Sequence, residues 1–214
     1  MTSEYNKKTR AIAKGITMFR IIFYLNLLLF LLPTSNQINT PAQISEHSIA
    51  VEEYAVYSTI IQKEFLSKEI DLVVIENSTL DYEQANRKSI SKELDWTFSN
   101  LEATTIDSYV VKVRKSHKLS NLFKLPVKYV LVDKKDDEKL FQKGGGGWNA
   151  FYKKYPRSPG IIGLSRVGFN KPMSQALLYV RVWCGGLCGE GTWVILAKEK
   201  EGWAIQDKFT NVIS

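Results

Sequence analysis

The sequence predicts an α+β domain in which N-terminal helices pack on a C-terminal antiparallel meander sheet of four to five strands. Three observations predict it. Apolar residues recur at helical spacing in the first half of the chain. From Val127 onward, short runs with alternating character are separated by turn residues. The chain left after a basic, apolar leader is about 170 residues, enough for one domain with a proper core.

In chain order, Tyr54, Tyr57, Ser58, Ile61 and Phe65 mark an amphipathic helix. Glu52 and Glu53 precede them, where a helix dipole favours anions in the first turn. Asp71 to Glu76 is a short run rich in branched residues, closed by Asn77-Ser78, and predicts a strand. Ile106, Tyr109, Val110 and Val113 predict a second helix, with Lys112, Arg114 and Lys115 suited to its C-terminal turn. Gly144 to Gly147 predicts a flexible loop, since it lacks the Lys-Ser/Thr of a phosphate cradle. The predicted meander strands are Val127 to Val132, Gly160 to Phe169, Ala176 to Trp183, Thr192 to Lys198 and Trp203 to Phe209. In the third of these, Ala176, Leu178, Val180, Val182 and Cys184 share one face, which is expected to be the core face with Cys184 buried. Helices covering one face of an antiparallel sheet follow from that order.

Residues 1–35 have the layout of a signal peptide or membrane anchor. Lys7, Lys8, Arg10, Lys14 and Arg20 oppose a single acid, Glu4, and lead into the apolar run Ile21 to Leu32, ended by Pro33-Thr34-Ser35. Twelve helical residues span about 18 Å against a hydrocarbon core of about 30 Å. Cleavage between Ser35 and Gln43 is therefore expected, and retention as an anchor that touches the membrane through residues 15–32 is the alternative. Residues 36–47 are expected to be a linker and 48–214 a single α+β domain. The expected localisation is extracytoplasmic, periplasmic or secreted.

The chain holds 29 basic and 22 acidic residues, a net charge of +7. The leader carries five of those bases and one acid, so the remainder has 24 against 21. Lys112-Val113-Arg114-Lys115 and Lys153-Lys154 are short clusters rather than a stripe, so nucleic acid is not expected as a partner. An envelope partner or ligand is expected instead. The tryptophans Trp96, Trp148, Trp183, Trp193 and Trp203 mostly border predicted strands or turns, where burial at the core edge is the default over stacking on a carbohydrate.

Cys184 and Cys188 are the only cysteines, separated by Gly185-Gly186-Leu187. Fully extended, that separation holds the Cα atoms about 13 Å apart, whereas a bridge needs roughly 4.4–6.8 Å, so a disulfide requires a tight turn that two glycines permit. Export and the even count favour the bridge. A redox pair is the alternative, although the usual spacing is two and the usual context a helix start. Metal binding is not expected, because only His47 and His117 could join the sulfurs and His117 lies between Lys115 and Lys118. No cofactor is expected.

The segments Tyr155-Pro156-Arg157-Ser158-Pro159-Gly160, Leu164-Ser165-Arg166-Val167-Gly168-Phe169-Asn170, Gln175-Ala176-Leu177-Leu178-Tyr179-Val180 and Cys184-Gly185-Gly186-Leu187-Cys188-Gly189-Glu190-Gly191 form a signature. It resembles that of a family of exported bacterial proteins, over residues 148–214 and in the helix at Glu53 to Tyr57. The resemblance implies an exported domain and carries no activity, cofactor or catalytic residue.

Four residues of the signature are candidates for structural or ligand-facing roles: Ser165, Arg166, Asn170 and Glu190. Arg166 and Glu190 are expected to form an ion pair that clamps the hairpin around the cysteines, and Asn170 to sit in a turn. Ser165 lacks a nucleophile elbow, and Cys188 with His117 as base is a weak thiol arrangement. The expected function is a non-catalytic binding or structural module of the cell envelope with a disulfide-pinned hairpin, and the alternative is an extracytoplasmic thiol-dependent or hydrolytic enzyme.

Overall fold

The computed structural model describes residues 41–94 and 98–213. The expected leader and the first part of the expected linker, 36–40, lie outside them. Five α-helices and seven strands follow one another as α1 (Pro41–Ile60, continued by a π-helical turn, Ile61–Phe65), β1 (Leu72–Glu76), α2 (Arg87–Leu94), α3 (Ala103–Val113), β2 (Lys128–Val132), α4 (Lys134–Phe141), α5 (Gly147–Lys154), β3 (Ile161–Leu164), β4 (Gly168–Phe169), β5 (Gln175–Gly185), β6 (Cys188–Glu199) and β7 (Gly202–Ile213). No helix among the described residues is long and apolar enough to cross a membrane. Residues Ser45–Ser214 make one compact unit.

The strands form one mostly antiparallel sheet in the order β2-β1-β3-β5-β6-β7, with β4 paired to β5. Only β5-β6-β7 is a true meander. The run at Val127 to Val132, expected to belong to it, sits instead at the far edge as β2. There it runs parallel to β1, which runs parallel to β3. Parallel neighbours need long crossover connections, and α2 to α5 lie within them. These helices change the architecture: both faces of the sheet are covered, not one.

One face packs on α1, where Tyr57, Ile60 and Ile61 meet Val73, Ile162, Leu164, Leu178 and Leu196. The other face is covered at its two ends. There α2 and α3 bury Leu177, Trp193 and Ile195, while α4 and α5 bury Val74, Val132 and Ile161 beneath Phe151. Hence both alternating sets of β5 are buried from Ala176 to Leu178, which an alternation rule for a half-covered strand does not anticipate.

Three helices escape sequence periodicity because each is eight residues long, and two carry mostly charge. Their starts have local causes. The Asn86 carboxamide accepts from the Ser89 backbone N–H at 3.0 Å, and Asp133 caps α4 by accepting from the Lys135 N–H at 3.0 Å. Within the tetraglycine, Gly146 sits in the left-handed region (φ 86°) as the N-cap of α5, which begins at Gly147, so the run serves as the joint of a helical hairpin rather than a free loop.

The first helix starts at Pro41, inside the stretch expected to be a linker. Glu52 and Glu53 are therefore not in a first turn. Their carboxylates are held by tertiary partners instead: Glu52 accepts from Lys198 and from the Trp203 indole, both at 2.7 Å.

Candidate ligand-binding cleft

Between the two helix pairs a strip of the sheet face is left open, and the register explains why. On β5, Tyr179, Arg181 and Trp183 point to this face. Arg181 lies between Gly163 of β3 and Gly191 of β6, and Trp183 lies between Ile161 and Gly189. Cross-strand partners share a face, so Arg181 is flanked by glycines on both sides and Trp183 on one. The result is a trough along Arg181 and Trp183, open over Gly189 and filled over Gly163 by the Leu80 and Glu76 side chains.

The trough holds two connected lobes. The larger, about 700 Å³, lies among Trp183, Trp148, Phe141, Ile161, Gly189 and Cys188. The smaller, about 590 Å³, runs toward Tyr179, Tyr82, Glu93 and Asn211. Glu76, Lys134 and Arg181 belong to both. One wall is a single stripe of α4: Lys134, Glu138 and Phe141 stand at helical spacing. The opposite wall is the β5–β6 hairpin.

Arg181 is fixed from two sides. Its Nη2 donates to Glu76 Oε1 at 3.0 Å, and its guanidinium carbon stands 4.6 Å from the centre of the Trp183 ring. Gly163 makes this possible, since a Cβ there would come within 3.0 Å of Leu80 and 3.4 Å of the Glu76 carboxyl carbon. In the smaller lobe, the Trp193 indole donates to Glu93 at 2.8 Å and the Asn211 carboxamide also donates to Glu93. Tyr179 donates to Asn211 Oδ1 at 3.0 Å. Burial raises the Tyr179 hydroxyl pKa, with help from the Glu93 charge, so this phenol stays a neutral donor.

The hairpin wall has three ties. Cys184 and Cys188 are bridged, with Cα atoms 5.1 Å apart. The Tyr152 hydroxyl of α5 donates to the Cys184 carbonyl at 2.9 Å. Gly160, at φ 115°, crosses so near the Trp183 carbonyl that any Cβ would collide with it. Cys184 is half-buried rather than buried, because the strand runs beyond the helices at its end, and Leu187 at the tip is 94% exposed.

The signature residues mostly lie elsewhere. Arg166 does not meet Glu190. Its Nε and Nη2 each donate to the Glu53 carboxylate at 2.9 Å, and Lys112 Nζ reaches the same carboxylate at 2.9 Å. Lys112 also donates to the Val167 carbonyl at 2.9 Å. Tyr57 bridges this group to the strand end by donating to the Ser165 carbonyl at 2.9 Å. Burial alone would raise the Glu53 pKa, but the Arg166 hydrogen bonds and the Lys112 charge overcome it and hold the carboxyl below its ordinary value. Burial pulls Lys112 down, and Glu53 offsets this only in part.

Glu190 pairs across the strands with Val182, on the face away from Arg181. There it accepts from Thr192 at 2.7 Å and Thr210 at 3.2 Å. Ser165 is buried, with its Oγ accepting from the Tyr179 backbone N–H at 2.8 Å and donating to the Arg166 carbonyl at 2.9 Å. A hydroxyl so engaged is a backbone tie rather than a nucleophile. Asn170 does sit in a turn: its Oδ1 accepts from the backbone of Ser174 and Gln175, and its Nδ2 donates to Glu102 at 2.8 Å. The glycine of this segment has a packing role as well, since a Cβ on Gly168 would strike Tyr109 and the Thr105 carbonyl of α3.

Sequence reasoning thus missed Arg181, Glu76 and the α4 stripe. The signal available was the alternation Gly189-Glu190-Gly191, which puts both glycines on one strand face, together with an arginine two residues before Trp183. Among the described residues no group of His, Cys, Asp and Glu is placed to hold a metal ion. Comparison of the chain with family models, with curated proteins and with solved structures finds no match.

Proposed function

We propose that this protein is an exported, non-catalytic binding module of the cell envelope that holds a ligand in the cleft above Arg181 and Trp183. The observation that carries the reading is the open strip itself. A sheet otherwise covered on both faces keeps an open trough at the position of an oriented arginine and an exposed tryptophan, and pockets of 300–1,000 Å³ with a few placed polar groups are the usual form of ligand sites. Export rests on the basic, apolar leader and fits the bridged cysteines, since such bonds persist in oxidising compartments. The resemblance to exported bacterial proteins points the same way. The rival enzyme reading has less support, because the Ser165 hydroxyl is engaged twice and Cys188 is tied up in the bridge.

The test is retention of small molecules. The purified native protein is incubated with a whole-envelope extract, desalted, and examined by native mass spectrometry beside an Arg181→Ala/Trp183→Ala variant. Bound mass on the native protein that the variant fails to retain is the expected result. Equal retention by both, or none by either, would count against the cleft.

A further inference from the structure

Resting on that reading of the cleft, we infer that its ligand is an uncharged oligosaccharide. The charges point there first. The larger lobe sets Arg181 and Lys134 against Glu76 and Glu138, and the smaller adds Asp81 and Glu93. A polyanion would meet at least as many carboxylates as cations, so the field does not steer it inward. An acyl chain would strip water from four charged side chains of the larger lobe and return no hydrogen bond, which is a large cost. A hydroxyl, by contrast, both donates and accepts. A polyhydroxy ligand can therefore face guanidinium, ammonium, carboxylate and the Gln142 carboxamide in the same cleft without leaving any of them bare.

The aromatic groups point the same way. Of the four tryptophans among the described residues, Trp193 and Trp203 are core, Trp148 is half-buried, and Trp183 is 48% exposed at the trough. Arg181 covers one face of this indole, 4.6 Å from its centre, and the opposite face is an apolar platform that suits the C–H face of a pyranose ring. Arg181 spends one donor on Glu76, and an arginine has five, so further N–H groups are left for ring oxygens.

Shape supplies the third argument. The lobes are joined at Glu76, Lys134 and Arg181 and follow the sheet face from Gly189 and Trp183 past Arg181 to Tyr179. A run of rings occupies such an elongated trough better than one compact molecule, because each lobe alone already has the volume of a drug-sized site.

Calorimetric titration of the native protein with cellotetraose, maltotetraose and chitotetraose tests the inference, with a heparin-derived sulfated tetramer and decanoate as contrasts. At least one neutral tetramer should bind, little affected by salt. Trp183→Ala and, separately, Arg181→Gln should each weaken it roughly tenfold, the loss expected for one stacked ring or one charged donor, while melting with the native protein. Should Trp183→Ala not fold, Arg181→Gln carries the test alone. Binding undiminished in both variants would overturn the assignment, as would a preference for decanoate or the sulfated tetramer that depends on Trp183. If no neutral tetramer binds by about millimolar concentration while the native protein still retains an extract molecule that the double variant loses, the saccharide class is wrong and the cleft stands. If nothing is retained from the extract either, the cleft reading itself falls.

Discussion

Two arginine–glutamate pairs in this protein use the same chemistry to opposite ends. At the β3–β4 turn, Arg166 grips Glu53 with two 2.9 Å hydrogen bonds, and the glutamate side chain is only 6% exposed. Both oxygens of that carboxylate are engaged, Oε2 by Arg166 and Oε1 by Arg166 and Lys112 together. In the cleft, Arg181 meets Glu76 through one 3.0 Å bond, and both side chains keep more exposure, 31% and 16%. Saturation and burial turn the first pair into a fastener between α1, α3 and the strand end. An unsaturated pair at a glycine-lined strip is free to meet something else.

Removing one partner of each pair gives the largest expected contrast. Glu53→Ala leaves two half-buried cations without a counter-charge and should cost up to about 3–5 kcal/mol of unfolding free energy. Glu76→Ala should cost about 1 kcal/mol or less, because its pair is part-exposed. Chemical denaturation of the two variants measures this, and similar losses would erase the distinction.

A double-mutant cycle sharpens it next. Arg166→Ala and Glu53→Ala should couple by roughly 1–3 kcal/mol, whereas Arg166→Ala and Glu190→Ala should add within about 0.5 kcal/mol. Strong coupling in the second cycle would restore the clamp that the signature suggests on sequence grounds.

The disulfide comes third. The Cys184→Ala/Cys188→Ala variant should fold and lose about 2 kcal/mol, the chain-entropy value for so short a loop. Without reductant the native protein should resist alkylation and show the mass deficit of two hydrogens. A reduced pair, readily alkylated after export, would sink the structural bridge.

The smallest effect is in acid. Glu53 has a folded pKa below its ordinary value of 4.5, so the unfolded chain takes up this proton first. The stability it contributes is complete above about pH 4.5 and is lost as pH falls through the lowered folded value. Thermal melts from pH 6 to pH 3 should therefore fall less steeply in Glu53→Gln than in the native protein. Identical slopes would mean that the fold does not lower the pKa of this carboxyl.

Much of the fold is legible in the sequence. Tyr54, Tyr57 and Ile61 mark the first helix, Ile106 to Val113 the third, and the strands from Ala176 onward are located, although β6 begins four residues before Thr192 and β7 ends four residues after Phe209. The bridge between Cys184 and Cys188 follows from their count and the two glycines between them. Each of these depends on residues close together in the chain, whose period or turn chemistry acts locally.

What the local signals left open depended on distant partners. The eight residues of α4 show almost no apolar period, because one stripe faces the cleft and little of the helix touches the core. Arg166 and Glu190 stand in the same signature, yet the partner of Arg166 is Glu53, 113 positions away. The sequence alone determined the two longer helices, most strand segments and the closed hairpin, since backbone preference and hydrophobic period act over a few residues. Only the tertiary structure decided which arginine is a fastener and which faces an open trough, because that depends on strand register, and register places Gly163 and Gly191 beside Arg181 from segments that no local pattern connects.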